Sequence, residues 1–434
     1  MSLGVTTRIW LRRGLWALAL SVPLLPLLDA PPLATGAYVQ DVRSTSAIVC
    51  KVTGASADLD LLVGDELGQV RRLVSRGLRR HAFVVEGLAP GQQHRWRMVA
   101  AGALDGGEEG RIHTPPAGDT GDGEPVRFAI VGDSGGLPWW IWMQTSWLFR
   151  VPAEQRWLAA AGEVTAIGER VAAAEPDFVL HVGDVVYPRG HQQHYGPGFF
   201  RPFAAALRQA PFYVALGNHD VMDDNGRQAL ANFALPRGAS TGDERCYSFA
   251  FGPVRVIALD LGLDVAGPGG KPLVAAHPAV VFLQQQLTTC EEPWVVVMSH
   301  YPILSASRQA DRADLRLTLL PLLEDYGVDL YLSGHDHTYQ RFGEPGEGVI
   351  QVVSGGGGKS LYPIRPDPRV RVAQSVYHWC RVEVVGRLLE LRALAVDGSA
   401  IDSVRLRHPA SGLRFERIHA QNPGRAARIR RLPG

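Results

Sequence analysis

The sequence predicts an α/β domain of mixed sheets flanked by helices over residues 126–408, preceded by an all-β sandwich over residues 35–116. Three observations carry that expectation. Five short apolar runs, each followed by Gly or Ser, end in side chains able to bind metal: VGDSG (131–135), HVGDVVY (181–187), ALGNHD (215–220), VMSH (297–300) and LSGHDH (332–337). Runs such as 128–131 and 178–180 have the length and flanks of buried parallel strands. Helical patterns near 154–174, 199–209, 277–289 and 311–326 alternate with them, and such alternation calls for sheets covered by helices. Upstream, segments 46–52, 59–63 and 81–85 are short, β-rich and separated by turn signals at the spacing of a sandwich.

From the N-terminus, Arg8, Arg12 and Arg13 precede an apolar stretch over 14–28, then Ala30 and Pro-rich sequence. A basic region, a short apolar core and small residues make a secretory signal over 1–34, too short for a stable membrane span. Export to the periplasm or medium is expected, with Arg12-Arg13 raising the twin-arginine route. Residues 117–125 read as a linker, and residues 409–434 as a solvated basic tail, with six Arg against Glu416 from Arg414 onward. The Trp-rich stretch 138–149 reads as the buried packing of a cap.

A formal net charge of +1 over 434 residues gives no general pull toward nucleic acid as a specific partner. Lys occurs only at 51, 271 and 359. The four cysteines, at 50, 246, 290 and 380, have no metal-binding spacing. In an exported chain Cys246–Cys290 is the disulfide expected within the α/β domain, and Cys50 lies on an apolar strand.

Asp133, Asp184, Tyr187, Asn218, His300, His335 and His337 offer carboxylates, a phenol, an amide oxygen and imidazoles. Such a set can hold two cations roughly 3.5–4 Å apart, the spacing that clamps the attacking and leaving oxygens of an in-line displacement. Ligands in open α/β sheets gather at the carboxyl ends of strands, so five such ends can meet in one crevice. In Gly334-His335-Asp336-His337, extended backbone would turn both imidazoles to one side, one for each metal.

The order and identity of these motifs resemble the metallophosphoesterase superfamily and, within it, the purple acid phosphatases, whose pattern is D-x-G, G-D-x-x-Y, G-N-H-D/E, V-x-x-H and G-H-x-H. All five occur here, and the likeness spans about residues 126–405. The phrase 88–97 resembles the E–F corner of a fibronectin type III domain, with His94 where Tyr is common; such a domain precedes the catalytic domain in plant and many bacterial members. The resemblance implies a metallophosphoesterase sandwich behind a fibronectin type III-like domain. It also implies that Asp133, Tyr187 and His337 hold Fe(III), that Asp184 bridges, and that Asn218, His300 and His335 hold a divalent Fe, Zn or Mn ion. Tyr187 is its most discriminating member, because generic metallophosphoesterases usually lack it, and a phenol with an ordinary pKa of about 10 loses its proton to a hard trivalent cation, which argues for Fe(III). His219 is implied as the catalytic residue that contacts phosphate and protonates the leaving group.

The activity implied is hydrolysis of small phosphomonoesters by a metal-activated hydroxide. A Mn- or Zn-dependent phosphodiesterase or nucleotidase on the same fold is the alternative. A non-catalytic surface binding module is a remote one, because no ligand is missing. One departure from the plant-type pattern stands out: after His300, residues 301–308 carry no imidazole. His191, His194, Arg308 and Arg312 are candidates to replace it at the substrate. Separately, Lys359 is a candidate to touch substrate; it follows Gly355-Gly356-Gly357-Gly358, a run without P-loop spacing that reads as a tight loop near the metal edge. The substrate's identity and the oligomeric state are not legible.

Overall fold

The computed structural model describes residues 33–408 apart from 65–69, 104, 117–123, 136–161, 239–241, 263–264, 266–269 and 308–310. The Trp-rich stretch, the basic tail, Arg308 and nearly all of the expected signal and linker lie outside the described residues.

The N-terminal region is all-β: β1 (Tyr38–Gln40), β2 (Ser46–Gly64), β3 (Val70–Glu86), β4 (Gln93–Ala100) and β5 (Glu108–His113). Register shifts between Val52 and Leu59 bend the long β2–β3 pair. Before the bend, β2 pairs with β1 and with Arg80–Glu86 of β3; after it, Leu59–Gly64 pairs with Val70–Ser75 and with β4. The two halves enclose one core of Val49, Leu61, Val63, Phe83, Val85, Trp96, Met98 and Ile112. Strand β3 ends in strict alternation, with Phe83 and Val85 buried and Ala82 and Val84 exposed, the pattern of a strand wet on one face. His94 Nε2 donates to the Ala89 carbonyl at 3.1 Å, the backward bond that a corner Tyr makes in sandwiches of this kind.

The second region holds two mixed sheets. Its strands are β6 (Val126–Val131), β7 (Phe178–His181), β8 (Phe212–Val214), β9 (Tyr247–Phe251), β10 (Val254–Leu259), β11 (Trp294–Ser299), β12 (Leu330–Ser333), β13 (Tyr339–Phe342), β14 (Ile350–Ser354), β15 (Val370–Gln374), β16 (His378–Val385), β17 (Leu388–Ala395) and β18 (Ala400–Arg407). One sheet runs β18-β17-β16-β6-β7-β8 and the other β15-β13-β14-β12-β11-β10-β9. The parallel strands sit together, as β6-β7-β8 and β10-β11-β12-β14.

Their continuous apolar runs follow from burial on both faces. In β10, Val256 and Ala258 join Phe128, Ile130, Phe178 and Leu180 between the sheets, while Ile257 and Leu259 meet Phe282, Leu283 and Leu287 of the helix Pro278–Thr289. That helix starts where the sequence places it, with His277 as N-cap accepting from Ala279 N and Pro278 in the first turn. The helix Gly162–Ala173 buries Val164, Ile167 and Val171, spaced for one face.

Two helices expected as single runs are divided. Segment 311–326 becomes Ala313–Thr318 and Leu320–Asp325, and segment 199–209 becomes Gly196–Phe200 and Ala204–Leu207. Pro321 and Pro202 account for this, since Pro lacks the N–H and collides with the carbonyl four residues back.

The two regions are joined closely. Leu33, Tyr38, Cys50 and Val52 belong to the core of the second region, Tyr38 Oη donates to Asn232 O at 3.0 Å, and Arg111 N donates to Arg208 O at 3.0 Å. The expected Cys246–Cys290 disulfide is not formed: all four cysteines are buried thiols. Cys246 Sγ is engaged with the Asp260 backbone, accepting from its N–H at 3.4 Å, and Cys290 Sγ donates to Glu292 at 3.4 Å, so each thiol points to a local partner.

Candidate metal centre

All five motifs leave the carboxyl end of a parallel strand. Asp133 follows β6, Asp184 and Tyr187 follow β7, Asn218 and His219 open the turn Asn218–Val221 after β8, His300 follows β11, and His335 and His337 follow β12. Three of these residues, Asp133 (φ 54°), Asp184 (φ 53°) and His335 (φ 69°), have left-handed backbone. That region is uncommon for residues other than Gly, and such geometry persists where surrounding structure enforces it. Here the first two turns lock each other: Asp133 N donates to Gly183 O at 3.0 Å and Ser134 N to Asp184 O at 3.2 Å. Gly217 must lack a side chain, because a Cβ there would lie 2.2 Å from Asp184 Oδ1.

Each carboxylate is anchored by one oxygen and presents the other. Asp133 Oδ2 accepts from His335 N at 2.9 Å, leaving Oδ1 at 3.0 Å from Tyr187 Oη and 3.5 Å from His337 Nε2. Asp184 Oδ1 accepts from His219 N at 2.8 Å, leaving Oδ2 at 2.9 Å from Tyr187 Oη and 3.4 Å from His300 Nε2. Asp184 thus stands between two groups of donors. On its other side, Asn218 Oδ1 lies 3.0 Å from His335 Nδ1 and 3.2 Å from His300 Nε2, and the two imidazole nitrogens are 3.2 Å apart.

The imidazoles are oriented from behind. His300 Nδ1–H donates to Val182 O at 2.9 Å and His337 Nδ1–H to Ser360 O at 2.7 Å, so each Nε2 faces inward, the usual outer-sphere arrangement of a metal-ligating His. His335, by contrast, presents Nδ1. Of the expected ligands, Asp133, Asp184 and His300 bring ligand atoms within 4.8 Å of one another, and hydrogen-bond distances join Tyr187, Asn218, His335 and His337 to that core.

This donor set fits cations. Tyr187 is buried against two carboxylates, and burial together with Asp133 and Asp184 pushes its phenol well above the ordinary value. The two facing imidazoles divide: His300 is carried up to about 10, the charge of Asp184 overcoming burial, while burial and then His300 drive His335 down to about 3. Two buried carboxylates facing an amide oxygen, a phenol and imidazole nitrogens, with Asp184 holding positive charge on His300, are the electrostatics of a site that a cation can occupy.

A second layer holds the first. The buried Asp220 carboxylate accepts from Val185 N and Gly217 N, each at 3.0 Å, tying the second motif to the third; burial and then Asp184 push it up to about 7. Asp220 is not among the site residues expected from the sequence; its place at the end of the GNHD motif is the signal that marks it. Tyr301 lies against His300 and His335, with ring centroids 5.1 and 4.9 Å apart, and Tyr362 stacks on His337 at 4.0 Å. Adjacency to His300 could have pointed to Tyr301; nothing in the sequence marks Tyr362.

His219 is set at the rim. Its Nδ1–H donates to Pro188 O at 2.8 Å, its ring lies 4.4 Å from that of Tyr187, and its Nε2 is 4.0 Å from Asp184 Oδ2. The side chain is 30% exposed, so Nε2 borders both the centre and solvent. Of the outer candidates, Lys359 reaches the centre, with Nζ 4.7 Å from the Tyr187 ring. His191 caps the turn Gln192–Tyr195, and the buried His194 donates to Arg189 O at 2.7 Å, so both brace their own loop. Arg312 pairs with Asp314 at 2.6 Å.

Residues 126–339 match the calcineurin-like phosphoesterase family. Tartrate-resistant acid phosphatase type 5 of Mus musculus is 29% identical over 279 residues, covering 60% of this chain and 81% of that protein. Purple acid phosphatase 17 of Arabidopsis thaliana is 25% identical over 239 residues, covering 48% and 67%. Among solved structures, that of PhoD superposes with a TM-score of 0.62 over 93% of this chain and 99% of its own; at 12% identity that is a likeness of fold.

Proposed function

From the premise that this chain carries a calcineurin-like metallophosphoesterase domain and has acid phosphatases among its relatives, we propose that it is an exported binuclear-metal phosphatase that hydrolyses small phosphomonoesters. It is a hydrolase acting on phosphoester bonds. The observation that carries the finer reading is the meeting of two donor groups on Asp184 Oδ2, which is 2.9 Å from Tyr187 Oη and 3.4 Å from His300 Nε2.

In this reading Asp133, Tyr187 and His337 would hold Fe(III), Asn218, His300 and His335 would hold a divalent Fe, Zn or Mn ion, and Asp184 would serve both. A metal pair so held lowers the pKa of water and offsets charge on the phosphoryl oxygens, the chemistry an in-line displacement needs. The protein's part is orientation and proton transfer. With Nδ1–H fixed on Pro188 O, Nε2 is the nitrogen of His219 that exchanges a proton, so it contacts a phosphoryl oxygen and protonates the leaving oxygen. Asp220 and the backbone N–H groups of His219 and His335 keep the carboxylates aimed while the substrate changes charge.

Export rests on the Arg-led apolar N-terminus. Among the described residues no helix is long and apolar enough to cross a membrane.

Substrate profiling of the purified full chain tests the proposal. Hydrolysis of an aryl phosphate monoester should exceed that of the matching diester, vanish on chelation and return with added metal. A protein that prefers diesters is the sibling phosphodiesterase, and one that cleaves neither when metal-loaded ends the phosphatase reading.

A further inference from the structure

The run Gly355–Gly358 is a thread through the tightest part of the molecule. A Cβ on Gly355 would lie 2.1 Å from Asp336 O, on Gly356 2.2 Å from His378 Nδ1, on Gly357 2.3 Å from Gly132 O, and on Gly358 2.4 Å from Ser134 O. None of the four tolerates a side chain without a shift of its surroundings. Backbone bonds fix the thread between the first and fifth motifs: Gly355 N donates to Thr338 O at 3.2 Å, Gly357 N to Gly132 O at 2.9 Å, and Lys359 N to Asp133 O at 3.0 Å.

The consequence is the position of Lys359. Its Nζ stands 4.7 Å from the centroid of the Tyr187 ring, the ring that His219 approaches at 4.4 Å. The side chain is half-buried, and among the described residues its ammonium has neither a carboxylate within ion-pair reach nor a hydrogen bond. Lys51, by comparison, is paired with Glu108. An ammonium drawn out of water without a counter-charge is costly, and the face of the Tyr187 ring offers it only a cation–π contact. What it lacks is an anion, and a phosphoryl group bound at the centre that Tyr187 and His219 border would supply one. A Lys ammonium binds phosphate as a compact point charge.

We propose that Lys359 is a substrate-binding residue of this centre, gripping the phosphoryl oxygens alongside His219 and taking the place of the imidazole that residues 301–308 do not supply. The proposal rests on the phosphatase reading above. An ammonium that only balanced a Tyr187 phenolate would alter the metal spectrum and leave phosphate binding untouched.

The test uses the metal-loaded full chain as wild type, Lys359→Met and Lys359→Arg, with inorganic phosphate as probe in calorimetry and in inhibition of monoester hydrolysis, and with metal content measured for each. Lys359→Met should keep its metals, bind phosphate about 10- to 100-fold more weakly and show a parallel rise in KM, with Lys359→Arg recovering most of the loss. Phosphate affinity and KM within about twofold of wild type overturn the proposal, whether or not the visible band moves. So does loss of metal from both variants, which would make Lys359 a support of the centre. A wild type that neither binds phosphate nor cleaves monoesters sinks the phosphatase reading itself, whereas an active wild type with an indifferent Lys359→Met sinks only the role of Lys359.

Discussion

The two sides of Asp184 are built alike and charged differently. Both draw their donors from strand ends, yet one side gathers Asp133, Tyr187 and His337, which are 0%, 1% and 4% exposed. The other gathers Asn218, His300 and His335, of which only His300 is fully buried. The first side is anionic once its phenol ionises; the second is a neutral amide and two imidazoles. Hard anionic oxygen donors suit a trivalent ion, while neutral nitrogen and amide donors suit a divalent one. Under the proposed assignment the sealed side would carry the permanent charge of the centre, and substrate would arrive from the rim where His219 borders solvent. One fold thus sets two chemistries by side-chain choice at equivalent strand ends.

The contrast breaks most completely at the residue both sides share. Asp184→Ala should remove both metals and lower hydrolysis by at least on the order of a thousandfold, while the N-terminal sandwich stays folded by proteolysis and circular dichroism. Loss of one metal alone would mean that Asp184 serves one side only.

A smaller effect should sharpen it. His335→Asn should weaken the divalent ion by at least the roughly 10- to 100-fold typical of outer-sphere losses, with iron retained in metal analysis. Equal loss of both metals would erase the distinction. Next comes Asp220→Asn, which leaves one carbonyl oxygen for two N–H donors; a fall of about 10- to 100-fold in activity with the fold intact is expected, and full activity would deny Asp220 its positioning role.

The sandwich supplies the control, since its acid response should be independent of metal. Burial raises Asp60, but the Gly102 N–H and the guanidinium groups of Arg72 and Arg76 bring it down to about 2. A depressed acid stabilises above its unfolded value of about 3.9 and loses that contribution as pH falls toward about 2. With both arginines more than two-fifths exposed, Asp60→Asn should cost at most about 1 kcal/mol in chemical denaturation at neutral pH, and less below pH 3.

Legibility followed chain locality. The seven donors were visible because each sits within a few residues of an apolar strand, and strand-end chemistry is written in adjacent letters. Two-residue spacing named both His335 and His337, though left-handed backbone at His335 replaces the extended geometry assumed for them. The helices divide because Pro202 and Pro321 override an apolar period that runs through them. The failed Cys246–Cys290 pairing and the stacking of Tyr362 on His337 depend on contacts between distant segments, which no local pattern encodes.

The central claim is that Tyr187 closes an iron site on one side of a shared carboxylate. Metal analysis with visible spectroscopy of the wild type and Tyr187→Phe tests it most directly. One iron and one divalent ion per chain are expected, with a phenolate-to-iron charge-transfer band that disappears in Tyr187→Phe. A fully active wild-type protein that contains no iron and shows no such band would contradict it.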